Sequence, residues 1–329
     1  MKVSVVIPNW NGAADLPDCL DSLLEQSVSA NIIMVDNAST DGSVELVKAK
    51  FPQVDVVELG KNRGFAGGVN AGIKRSIESG HKYVALFNND AVADKTWLKS
   101  LVKYMDANPK VGIAAPKILS LNGKRIDSTG ECYTVWGLPY PRGRGERDID
   151  KYDNDAKIFG ASGGASIYRV KMLQAIGLFD EDFFAYYEDI DLSFRAQLAG
   201  WKVAFAPQAI VYHQIGATSG RVKDFTTYQT LKNLPMLMWK NVPWSLMPKV
   251  WLRFELAYSG IVFKALLRGQ FLAVFKGTLM WGVLAPKKFF QRHKIQKNRK
   301  VSTKYIESLI IQDLPPQASG FKVKRRKNA

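Results

Sequence analysis

Two polar clusters carry the residues best suited to chemistry. Asn88-Asn89-Asp90 follows directly on the apolar run Tyr83–Phe87, so three polar groups emerge together at one strand end. Asp90 can give an oxygen to a hard cation that also bridges two phosphate oxygens. One carboxylate is too few for an all-protein cage, and phosphate and water would complete the shell of a Mg2+ or Mn2+ ion. A polar loop without a ligand is the other reading of these residues. The second cluster, Asp180-Glu181-Asp182 and then Glu188-Asp189-Ile190-Asp191, sets carboxylates among Phe and Tyr, which is costly unless they are paired or solvated. Arg195 follows Asp191 by four residues and can hold it as an ion pair, and Glu188 precedes Asp191 by three. Asp189 is then the carboxylate freest to act as a base, with a structural acid–base network as the alternative.

Asp36 ends the apolar run Ile32–Val35 and heads Asp36-Asn37-Ala38-Ser39-Thr40-Asp41-Gly42. A carboxylate held at a strand tip can accept from the donor groups of a pyrimidine base. Asp41 reads equally well as a helix cap. Between Asn62 and Gly72 glycines alternate with polar residues ahead of a helix, so the backbone could approach an anion there, although the spacing is not that of a dinucleotide fingerprint. His213 closes an extended segment and could serve a metal or diphosphate, or simply pack in a loop.

The elements that must position these groups alternate. Lys2–Ile7, Ile32–Val35, Val54–Leu59 and Tyr83–Phe87 read as strands, and Leu16–Leu24, Val69–Glu78 and Trp97–Asp106 read as helices. This order predicts an α/β fold with a mostly parallel sheet flanked by helices, and in such a sheet ligands bind beyond the carboxyl ends of the strands, where Asn9, Asp36, Asn62 and Asn88–Asp90 fall. The stretch from about 123 to 155 is irregular and Gly-rich, and reads as a hairpin or a mobile loop on the acceptor side. It and the 213–221 run are candidates to close over a bound ligand.

The chain has 329 residues and a formal net charge of +16. Residues 226–329 hold 20 Lys and Arg against Glu255, Glu307 and Asp313, a net of +17, so the first 225 residues sum to −1. Helix candidates at Val250–Phe263 and Phe271–Leu284 are dense in Leu, Phe and Trp, but Lys264, Arg268 and Lys276 interrupt them before the roughly 20 residues a span requires. They read as amphipathic helices drawn to an anionic membrane surface, with a soluble packing or oligomer role as the alternative. The expected organisation is a catalytic unit at 1–225, a helical, membrane-associating region at 226–310 and a basic tail at 311–329. Cys19 and Cys132 match no metal-ligand spacing, which suits a reducing compartment. The N-terminal apolar run is too short for a secretory signal and reads as the first strand.

The ordered segments VSVVIPNWNG, VDNASTDGS, NRGFAGGVNAG, LFNNDA, GASGGASIYR, GLFDEDFFAYYEDIDLSFRAQLAGW and VYHQIGATSG resemble family 2 glycosyltransferases of the GT-A fold, particularly a bacterial rhamnosyltransferase-like branch. The resemblance runs through roughly residues 3–220. It implies that Asp36 binds the nucleotide base, that Asn9 lies near the base or ribose, and that Asn62 and Gly64 line the nucleotide. Asp90 matches the final Asp of the metal-binding motif, whose usual first acidic position is here Asn88, and His213 matches a late histidine serving metal or diphosphate. Asp189 matches the catalytic base, with Glu188 beside it and Arg195 and Trp201 in the supporting region. The implied reaction is inverting transfer from a nucleotide sugar, dTDP-rhamnose or a UDP-sugar, to a lipid-linked or polysaccharide acceptor, on the cytoplasmic face of a bacterial membrane. No nucleic-acid partner is expected, and a homo-oligomer is open. A nucleotidyltransferase or a non-catalytic polysaccharide-binding protein are the competing classes.

Overall fold

Alternation along the first strand sets the layering. In β1 (Val3–Asn9), Val3, Val5 and Ile7 pack into one core and Val6 into another, so both faces of the strand are covered. A computed structural model describes residues 3–148, 150–214 and 222–316. The closing run expected at 213–221 and the basic tail therefore lie, beyond residues 214 and 316, outside the described residues.

After β1 come α1 (Leu16–Leu24), β2 (Asn31–Asp36), α2 (Ser43–Lys50), β3 (Asp55–Glu58), α3 (Gly64–Glu78), β4 (Tyr83–Leu86), β5 (Ala91–Ala93) and α4 (Trp97–Ala107). The middle of the chain forms β6 (Val111–Ser120), β7 (Ile126–Ser128), β8 (Glu131–Tyr133), β9 (Pro139–Pro141), β10 (Ile167–Arg169), α5 (Val170–Ile176), α6 (Glu188–Leu198) and β11 (Lys202–His213). It ends in α7 (Phe225–Asn241), α8 (Met247–Leu267), α9 (Phe271–Lys297) and α10 (Thr303–Glu307). α1 is too short to persist alone. Burial of Leu16, Leu20 and Leu23 against the sheet, at about 1.5–3 kcal/mol each, supplies what its length does not.

The main sheet has nine strands in the order β3-β2-β1-β4-β10-β6-β11-β5, with β7 paired to β6. It is mixed rather than mostly parallel. The expected parallel half, β3-β2-β1-β4, is present, but β10 runs antiparallel to both β4 and β6, and β5 antiparallel to β11. Strand β10 is only three residues long and enters after a long excursion, so nothing in its own pattern marks its direction. The 123–155 stretch is built rather than loose: β7 extends the sheet and β8 pairs with β9 as a hairpin.

Helix α3 begins at Gly64, five residues before the expected start, so the glycines lie inside it. A Cβ at Gly72 would fall 2.3 Å from a methyl of Val6, which is why this helix can lie directly on β1. A third core joins Phe183, Ile190, Phe194 and Leu198 to Leu234, Leu237, Met238, Val250 and Phe254, and so runs across residue 225. Helices α8 and α9 extend past both expected candidates, with Pro286 inside α9. Among the described residues no helix is long and apolar enough to cross a membrane.

Candidate active site

At one end of the sheet, β1 and β2 finish in register, Asn9 opposite Asp36. Asn9 Nδ2 donates to Asp36 Oδ1 at 3.1 Å, Ser39 N donates to Asp36 Oδ2 at 2.9 Å, and Asn89 Nδ2 donates to Asn9 Oδ1 at 2.8 Å. Both Asn9 and Asp36 are buried. Asp41 accepts from Ser43 N at the start of α2 and from Ala13 N across the loop, which accounts for it structurally. Asn62 Oδ1 accepts from Gly64 N at 2.8 Å. Gly64 has φ +69°, and a Cβ there would lie 2.3 Å from the carbonyl oxygen of Phe184, an oxygen that also accepts from Ala66 N at 3.1 Å. The glycine thus admits the acidic segment against the first turn of α3.

A second group converges where β4 and β11 end. His213 Nε2 stands 3.2 Å from Asp90 Oδ1 and 3.4 Å from Asn88 Nδ2, while His213 Nδ1 lies 2.9 Å from Asp127 Oδ2. Asp127 is buried on β7 and ion-paired to Arg144 at 2.7 Å. Nothing in the sequence marks it; only the pairing of β7 with β6, itself beside β11, brings it to the histidine. Burial alone would lower the His213 pKa, but hydrogen bonds and charge from Asp127 and Asp90 outweigh it and raise it to about 9. Asp90 Oδ1 is buried and faces His213 Nε2 without a well-aligned hydrogen bond. This carboxylate oxygen could enter the shell of a Mg2+ or Mn2+ ion completed by phosphate and water, and His213 Nε2 could join it only on giving up its proton. Among the described residues no three His, Cys, Asp or Glu are grouped to hold a metal by themselves. A surface depression of about 550 Å3 opens beside His213, lined also by Ser120, Leu121, Asn122 and Gln214.

The acidic segment lies across from this group. Asp191 pairs with Arg195 as the spacing predicts, Nε to Oδ2 at 2.9 Å. Asp189 Oδ2 accepts from Gly163 N at 3.0 Å, and Gly164 O accepts from Asn88 N at 2.8 Å. Two adjacent backbone units therefore hold the Asp189 carboxylate and the Asn88 end of the cation side. Burial raises the Asp189 pKa, only partly offset by the N–H groups of Gly163 and Ile190. Burial and the neighbouring Asp189 charge push Glu188 far higher, and Glu188 Oε2 is buried without a partner. Both shifts oppose two full charges side by side at this pair. Glu131 on β8 joins them: Ser128 Oγ donates to its Oε1 at 3.0 Å, and burial with the Asp189 charge pushes it up to about 8. Sequence reasoning missed Glu131 because it sits in the irregular Gly-rich stretch read as a hairpin or a loop, where no pattern singles out one carboxylate.

The backbone leading into Glu188 is strained. Phe184, Tyr186 and Tyr187 have φ of +64°, +69° and +72°, a region bulky L-residues avoid and that costs about 1–3 kcal/mol each.

The Glycosyl transferase family 2 model matches residues 4–177, just over half of the chain. The chain is 27% identical over 210 residues to the N-acetylglucosaminyl-diphospho-decaprenol L-rhamnosyltransferase of Mycobacterium tuberculosis, covering 58% of this chain and 68% of that protein. It is 23% identical over 232 residues to the dTDP-rhamnosyl transferase RfbF of Shigella flexneri, covering 68% and 76%. The mannosyltransferase PcManGT from Pyrobaculum calidifontis, solved with GDP-Man and Mn2+, superposes with a TM-score of 0.54 at 16% identity over 90% of this chain and 85% of that one. The fold is thus a GT-A-like α/β fold with a C-terminal helical region, and from the matched residues, which include Asn9, Asp36 and Asn88–Asp90, the chain belongs to glycosyl transferase family 2.

Proposed function

We propose that the protein is an inverting, metal-dependent glycosyltransferase in which Asp189 accepts the proton of the acceptor hydroxyl as that oxygen displaces a nucleoside diphosphate from the anomeric carbon. The observation that carries this reading is the Gly163–Gly164 pair, which ties the proposed base to the cation side through consecutive backbone groups. Acceptor and leaving group must meet at opposite faces of one sugar carbon, and such a shared brace suits that need. A raised pKa makes Asp189 a stronger proton acceptor than a surface aspartate. Asp36 and Asn9 would hold the base and ribose, Asn62 and Gly64 the nucleotide side, and Asn88 the diphosphate. Asp90 and His213 would hold Mg2+ or Mn2+, which when bound neutralises charge on the diphosphate. Asp127 would fix the His213 ring from behind.

The rhamnosyltransferase names of two relatives favour dTDP-rhamnose as donor and a polyprenyl-diphosphate-linked or polysaccharide acceptor, in bacterial envelope assembly. The outward stripe of α9, Phe271, Phe275, Leu279 and Val283, recurs every four residues and is exposed, as are Leu256, Phe263 and Leu267 on α8. With no acidic residue between Leu256 and Ile306, this face suits the cytoplasmic surface of an anionic membrane, where a lipid-linked acceptor resides. Residues 1–225 would then serve the chemistry, 226–310 the seating, and 311–329 added electrostatic attraction.

A donor panel tests the reading: purified protein, Mg2+ or Mn2+, dTDP- and UDP-sugars, and a lipid-linked acceptor extract. Sugar transfer that disappears in Asp189→Asn while donor binding survives supports it. Full transfer by Asp189→Asn, or none by the wild type with any donor, overturns it.

A further inference from the structure

The turn that delivers Glu188 and Asp189 satisfies only part of its own backbone: Phe183 O accepts from Ala185 N at 2.8 Å, and Phe184 O accepts from Ala66 N of α3 at 3.1 Å. Three of its aromatic residues hold positive φ. The further partners of its carbonyls come from α7. Asn233, 0% exposed, donates from Nδ2 to the carbonyls of Phe183, Ala185 and Tyr186 at 3.0, 2.9 and 2.9 Å. One amide group with two N–H bonds serves three carbonyls, so at least one hydrogen is shared. Lys232 Nζ, one residue earlier, donates to the carbonyls of Asp182 and Phe183 at 2.8 and 3.2 Å.

A second hold grips the segment by its side chains. Lys288 of α9, 0% exposed, donates to Asp180 Oδ2 at 2.6 Å and Asp182 Oδ2 at 2.7 Å. Lys240 of α7 donates to the same Asp180 oxygen at 2.6 Å and to Asp191 Oδ2 at 2.9 Å, and Asn241 Nδ2 to Asp191 Oδ1 at 2.8 Å. The carboxylates on either side of the turn are thereby neutralised.

We propose that α7 and α9 form a clamp that positions the acceptor-activating carboxylate, with Asn233 as its central residue and Lys288 as its second hold. Strained backbone of this kind persists only where its surroundings over-determine it, and here the surroundings come from helices beyond residue 225. Asn233, Lys240 and Lys288 are positioning residues that act through the turn. The inference rests on the reading of Asp189 as base.

Full-length Asn233→Ala, Asn233→Asp and Lys288→Met test it by two readouts. Hydrogen–deuterium exchange over 181–190, which needs no substrate, is expected to accelerate while 3–9 and 83–93 stay protected. In the donor panel, kcat is expected to fall about 10²-fold for the Asn233 variants, the cost of a misplacement near 1 Å, with donor KM unchanged. Lys288→Met shifts both readouts in the same direction and by less, because Lys240 still holds Asp180. Should the Asn233 variants fail to fold, Lys288→Met, in which Lys287 still pairs with Asp182 and Lys240 with Asp180, decides alone. Wild-type exchange over 181–190 in folded variants, unchanged kcat, or a donor KM that rises as kcat falls overturns the clamp. If the wild type transfers no sugar from any donor, the glycosyltransfer reading fails by itself, and the exchange readout still decides whether α7 and α9 hold the turn.

Discussion

The two regions we assign to the nucleotide and to acceptor activation are assembled in opposite ways. Asp36 is fixed by Asn9 at the adjacent strand end and by Ser39 in the loop that follows β2, and Asn89, in the turn after β4, completes the chain. The turn before Asp189 is fixed by Asn233, Lys240 and Lys288, which lie roughly 50 to 100 residues further along the chain. On the proposed reading, a binding surface for a common ligand is written at the ends of neighbouring strands, whereas a base that must meet a particular acceptor is held by the part of the chain that differs most in character from the rest.

The sharpest test of this contrast is Asp189→Asn, expected to lower kcat by about 10²–10⁴-fold with donor affinity retained in equilibrium titration. Loss of donor binding in that variant would dissolve the distinction between the two sides. Asp90→Asn should cost about 10²–10³-fold in Mn2+-supported turnover, the scale of removing one electrostatic stabiliser of the leaving group. An unaltered Mn2+ response would take Asp90 out of the cation site. Asp36→Ala is the mirror experiment: donor affinity falls about 10- to 100-fold, the worth of hydrogen bonds to a charged group, while kcat at saturating donor changes little. A fall in kcat alone would place Asp36 on the wrong side of the comparison.

Next in size, Phe271→Ser with Phe275→Ser should weaken sedimentation with anionic vesicles by about tenfold or more, since each buried Phe is worth about 1.5–3 kcal/mol. Equal sedimentation would reject the α9 stripe as the seat. The smallest effect is on stability. Glu131 is raised from its ordinary range to about 8, so the folded state binds a proton there that the unfolded chain has already released. That contribution is complete below about pH 4.5 and is lost as pH rises toward 8. Glu131→Gln should therefore raise Tm at pH 8 by a few degrees relative to wild type and leave it nearly unchanged at pH 4.5. The same shift at both pH values would show that ionisation of Glu131 is not what costs stability.

The sequence displayed the nucleotide side well, because runs such as Val3–Ile7 and Tyr83–Phe87 end in the polar residues that the strand ends present. The i,i+4 pairing of Asp191 with Arg195 was equally legible. The direction of strand β10 was not, since three residues carry no direction, and Asp127 and Glu131 sit in stretches without periodicity. Asn233 lies within an apolar helical run, where a single amide reads as an interruption. Its role depends on the positive φ of Phe184, Tyr186 and Tyr187, which aromatic residues do not advertise.

The third core bears on how this protein could be cut or recombined. Phe183, Ile190 and Phe194 are buried against Leu234, Leu237 and Phe254, on the far side of residue 225. A fragment ended at 225 to shed the helices proposed to seat on a membrane would bare that surface and remove the partners of the Asp189 turn. A water-soluble working version is better reached by replacing the outward side chains of α8 and α9 and keeping the inward ones. By the same logic, a donor half exchanged with that of another enzyme could keep its specificity, whereas an acceptor half would have to travel with its helices.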